Sequence, residues 1–83
     1  MNGMGVPVSR VVTEHAILVE TIRRRWPDEA EAILEVERAT PYSLAEIHRY
    51  VELRSIFYGA TVTQALAQVR EWMRTHGWAP LPS

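Results

Sequence analysis

Apolar residues recur every three or four positions along this chain, in four blocks separated by proline, glycine or capping residues. That period belongs to amphipathic helices, and no alternating stretch suggests a strand pair. The first helix is predicted from about Ser9 to Trp26, with Val11, Leu18, Ile22 and Trp26 as its stripe and Val19 beside them. Arg23, Arg24 and Arg25 fall in its last turn, where positive charge suits the helix dipole, and Pro27 stops it. A second helix is predicted over Asp28–Ala39, Asp28 capping it and Glu31 reaching back. Its apolar face, Ala30, Ile33 and Leu34, is narrow, with Val36 to one side and Glu37 projecting near the middle.

Ser43-Leu44-Ala45-Glu46 is a capping box and predicts a third helix running to about Tyr58, where Gly59 supplies a left-handed stop. This helix carries two apolar rows: Leu44, Ile47, Val51 and Tyr58, and then Tyr50, Leu53 and Phe57. A helix apolar round so much of its circumference is either central in its own fold or covered by another chain. The fourth helix is predicted from Thr61 to His76, ending at Gly77. Val62, Leu66, Val69 and Met73 form its stripe, flanked by Ala65 and Trp72. The expectation is an all-α, four-helix single domain over 1–83, flexible at 1–8 and again in the Pro-containing tail 79–83.

Eighty-three residues make a small domain, which buries only about 60–65% of its unfolded surface. With no cysteine there is no disulfide or thiolate metal site to reinforce it, so self-association is expected to help. The apolar share (47%) and charged share (23%) are those of a globular protein rather than a disordered one. No apolar run approaches a bilayer span, so no membrane partner is expected. The first residues lack a secretory pattern, and a cytoplasmic location is the default expectation.

Net charge is −1, which provides no global field for nucleic acid. Residues 1–41 carry five arginines against seven acids, whereas residues 42–83 carry four against three. All nine basic residues are arginine, suited to planar and bidentate contacts, and Arg23-Arg24-Arg25-Trp26 is one place where a phosphate could be gripped. A favourable helix end with a buried indole explains the same four residues.

Catalytic and metal chemistry find no motif here. His15, His48 and His76 are on three different helices, and His48 has only Glu52 one turn away, too few ligands for a metal. There is no HExxH, glycine-rich phosphate loop or GxSxG, so no enzyme, metal or cofactor is expected. His15, between Val11 and Leu18, reads as a packed histidine with one nitrogen bonded to a neighbour; a pH-sensitive contact is the other reading.

The run from Ser43 to Trp78 contains Ser43-Leu44-Ala45-Glu46-Ile47, then Thr61-Val62, Ala65-Leu66 and Val69, and closes on Gly77-Trp78. In this it resembles the helix-turn-helix core of winged-helix DNA-binding domains, although the segment between Ile47 and Thr61 is long and no wing follows. The resemblance implies that the fourth helix is a recognition helix, with Thr61, Thr63, Gln64 and Gln68 reading bases and Arg70 and Arg74 on phosphates. It implies a DNA-binding regulator. The doubly apolar third helix points instead to a protein–protein interaction subunit, or a small inhibitor of the phage or mobile-element kind. Tyr50, Leu53 and Phe57 are then the contact row, with a second copy of the chain among the candidate partners.

Overall fold

The computed structural model describes residues 6–77 and 79–82, the side chains of residues 6–12 excepted. Four α-helices and no strand are found among them: α1 (Val6–Arg25), α2 (Ala30–Ala39), α3 (Leu44–Tyr58) and α4 (Val62–His76). The all-α, four-helix expectation is met. α1 begins three residues before the predicted Ser9, so residues 6–8 are helical, with Pro7 in the first turn where no amide hydrogen is needed. Residues 1–5 and Val11's place in the stripe lie outside the described set. Leu18, Val19, Ile22 and Trp26 meet the core as predicted, Ile22 completely buried.

The start of α2 differs from expectation. Residues 27–29 form a turn after Pro27, closed by the Glu29 amide on the Trp26 carbonyl (3.1 Å), and Glu29 is the N-cap with no side-chain capping bond. Asp28 therefore caps nothing and is exposed, while Glu31 takes Arg23 (2.9 Å) instead of reaching back. The face of α2 is broader than its sequence suggests, because Val36 is fully buried along with Ala30, Ile33 and Leu34. Glu37, near that face, is held by His15 across the α1–α2 contact (2.9 Å).

The boundaries of α3 and α4 are set by local chemistry. Ser43 and Thr61 each accept the amide three residues on (Glu46 and Gln64, both 3.1 Å). The Glu46 and Gln64 side chains each take the cap's own amide in return (3.0 and 2.9 Å). Gly59, at φ +66°, closes α3 with its amide on Ser55 and that of Ala60 on Arg54, a conformation that any side chain would strain. Each box satisfies amides that the helix start leaves unpaired. Ser43→Ala and Thr61→Ala are each expected to cost about 1 kcal/mol in urea denaturation, with binding properties unchanged.

α3 is the centre of the bundle and packs on each of the other three helices, most extensively on α4. Leu44, Ile47, Tyr50 and Val51 are buried in it, facing Val62, Ala65, Leu66 and Val69 of α4. Two members of its predicted rows behave otherwise. Tyr50, expected in an exposed contact row, is buried (6% exposed) and donates its hydroxyl to Gln68 (3.2 Å). Tyr58, expected in the core row, is 70% exposed. Arg25, the last residue of α1, pairs with Glu52, six residues before the end of α3, and the exposed Tyr58 ring is met by the Arg54 guanidinium of its own helix.

The tail is docked rather than free. Gly77 turns the chain, the Ala79 carbonyl accepts both the Tyr42 hydroxyl (2.7 Å) and the Trp72 indole (3.3 Å), and Leu81 is buried in the core. Burial pushes the Tyr42 phenol above its ordinary pKa, and the nearby Glu46 carboxylate adds to the effect.

Candidate functional site

Two surfaces bear on function: the outer side of α4 and the projecting end of α3. On α4, Val62, Ala65, Leu66 and Val69 face inward, which leaves Thr63, Ala67, Arg70 and Arg74 exposed along one line. Gln64 and Gln68 are about a third of a turn round the helix from that line, towards α3. The six candidate base- and phosphate-contacting residues are therefore not brought onto one face.

Their functional groups are also partly committed. Thr61 and Gln64 form the capping box, and the Gln68 carbonyl oxygen accepts from Tyr50. A glutamine that reads adenine must offer its oxygen and its amide together, so either glutamine would first surrender an existing bond. Arg74 donates twice to Glu71 (3.1 and 2.5 Å). Those hydrogen bonds hold the Glu71 carboxyl below its usual range and the Arg74 guanidinium above its own. Arg74 thus presents a neutralised pair to a phosphate. Arg70 and Thr63 remain exposed, and Arg70 makes no ion pair among the described residues. Trp78, the close of the helix-turn-helix resemblance, lies outside the described residues.

The arginine trio at the end of α1 is similarly occupied. Arg23 meets Glu31, Arg24 meets Glu20, and Arg25 meets Glu52 while lying over the Trp26 ring at 4.8 Å. A phosphate there would have to displace three carboxylates. Because Arg25 takes Glu52, that residue is not a partner for His48, whose ring packs against Trp26 with centroids 5.6 Å apart. No group of three or more potential metal ligands comes together among the described residues. Nor is any described helix long and apolar enough to cross a membrane.

The end of α3 is different in kind. Ile56 (61% exposed), Phe57 (70%) and Tyr58 are three consecutive large apolar side chains in solvent, with Leu53 half-buried one turn before Phe57. Of the predicted contact row, Leu53 and Phe57 are on this surface and Tyr50 is not. Ile56 belongs to it and was not expected. A helix period assigns Ile56 to the outer face, but only the tertiary structure shows that Ile56, Phe57 and Tyr58 are all left in solvent.

A shallow groove adjoins this end, between α3, α4 and the tail. Its larger part, approximately 360 Å³, is lined by Tyr50, Arg54, Gln68, Trp72, His76 and Pro82, among others. A smaller part of about 100 Å³ shares Tyr50, Arg54 and Pro82 and adds Leu53 and Tyr58. The Arg54 guanidinium lies over the Tyr58 ring at 4.4 Å and near that of Tyr50 at 5.9 Å. Its Nε is buried and has no hydrogen-bond partner. At the far end, His76 stacks on Trp72 with centroids 3.8 Å apart. Comparison of the chain with family models, with curated proteins and with solved structures finds no match in any of the three.

Proposed function

We propose that this chain is a non-catalytic helical binding module that engages another protein through the projecting end of α3, as a regulatory subunit or an inhibitor that works by occupancy. One observation carries this reading: Ile56, Phe57 and Tyr58 are consecutive and exposed on a helix that buries Leu44, Ile47, Tyr50 and Val51 internally. Scattered surface leucines need no explanation, whereas three large apolar side chains exposed round one helix end beside a groove make a surface suited to a protein partner. Aromatic residues at such a point supply large contact area with few rotatable bonds.

A helix-turn-helix regulator that binds DNA is the second reading. It is favoured by the capped α3–Gly59–α4 unit and by Thr63 and Arg70 on the outer line of α4. The net charge of −1 and the Glu71–Arg74 pair work against it, since phosphate contacts dominate such affinity.

The double variant Ile56→Ser, Phe57→Ser is expected to keep the helical circular dichroism spectrum and a stability within about 0.5 kcal/mol per site, because both residues are exposed. Bait protein and nuclease-treated host extract should give a stoichiometric protein partner for the wild type and none for the double variant, with little response to added salt. A second copy of the chain as the partner would appear as a concentration-dependent dimer in sedimentation, lost in the double variant. Undiminished capture or dimerisation by the double variant would overturn this reading. Retention of DNA that collapses between low and moderate salt and is weakened by Arg70→Ala would establish the second.

A further inference from the structure

We infer that the groove beside the α3 knob receives a segment of the partner protein bearing an acidic side chain, whose carboxylate is taken by Arg54 while a neighbouring large apolar side chain packs on the knob. This rests on the reading of the chain as a protein-binding module and identifies the chemistry of what it binds.

The argument starts from the state of Arg54. Its guanidinium is held between the faces of Tyr58 and Tyr50, and its Nε–H is covered without an acceptor. A buried donor without a partner is costly, and an arginine fork already fixed by stacking loses little further freedom when an acceptor arrives. A carboxylate pairs bidentately with the Nη edge of that fork, which is not buried.

The surrounding groups point the same way. The acid bordering the groove, Glu71, is already held by two hydrogen bonds from Arg74, and Arg54 itself makes no ion pair among the described residues. The other walls are mostly apolar or aromatic, Leu53, Tyr58, Trp72 and Pro82, so a lone small anion would leave most of the groove unfilled. Pro82 borders both parts and is exposed, so the groove is open to solvent along the tail edge. An acidic residue next to an apolar one matches the cation and the knob together.

A random peptide library displayed on phage, selected against the full chain, provides the probe. Enriched sequences are expected to carry Asp or Glu within two positions of a large apolar residue. Synthetic versions should bind at least about tenfold more weakly to Arg54→Gln than to the wild type, and equally well to Arg70→Gln, an arginine on the other side of α4. Replacing the peptide's acid by its amide should cause the same loss, so the comparison stands even if Arg54→Gln folds poorly. Enrichment without an acidic residue, affinity indifferent to Arg54→Gln and to the amide, or no enrichment at all would overturn the inference. Peptides that lose affinity for the Ile56→Ser, Phe57→Ser variant but not for Arg54→Gln would leave the binding-module reading intact and remove this one alone.

Discussion

Ile47→Ala is expected to cost about 3 kcal/mol and to lower the thermal midpoint by roughly 12–24 °C. Ile47 is completely buried in the first turn of α3, a helix that touches the other three, so a cavity there cannot be closed by moving one neighbour. A chain of this length is expected to have only about 4–12 kcal/mol of stability in total, so the variant is expected to lose a large part of its cooperative transition. Ile17→Ala, the same change on an exposed part of α1, should shift stability by no more than about 0.5 kcal/mol. Thermal denaturation followed at 222 nm measures both, and similar losses at the two positions would contradict the packing described.

Leu81→Ala should cost about 2 kcal/mol, which a free tail residue would never do. Leu81 is buried and the preceding Ala79 carbonyl is held from α4 by Trp72 and from the α2–α3 connection by Tyr42, so the tail joins three parts of the chain. Tyr42→Phe should cost about 1 kcal/mol or slightly less, since the indole still satisfies the carbonyl. The raised phenol pKa adds a pH signature. Folding favours the protonated phenol, so this contribution is intact below the unfolded pKa of about 10 and declines as pH rises above it. Urea titrations of wild type and Tyr42→Phe at neutral and alkaline pH should therefore converge at the alkaline end. A constant difference would show that the hydroxyl is not buried as described.

Much of the candidate surface was hidden from sequence reasoning because exposure is a property of neighbours. Tyr50 and Tyr58 are both apolar-row residues of one helix, yet Tyr50 is covered by α4 and Tyr58 is not covered by α1. Gln64 and Gln68 look like free polar side chains in the sequence, and Gln64 could have been recognised as the fourth residue of a Thr61 capping box. The Tyr50–Gln68 bond spans two helices and has no local signal.

The sequence by itself determined the four helices and the Ser43 capping box, because these depend on residues within one or two turns of each other. It also determined where α1, α3 and α4 end, since Pro27, Gly59 and Gly77 act locally. Tertiary structure decided which apolar residues are core and which are surface, how the arginines are paired, and that the tail is part of the core. Those outcomes follow from how the helices are placed on one another and from contacts between residues as far apart as Tyr42 and Ala79, which no local period records. The apolar end of α3 stays exposed because no other element covers its last turn, a matter of how elements are placed rather than a property of the helix itself.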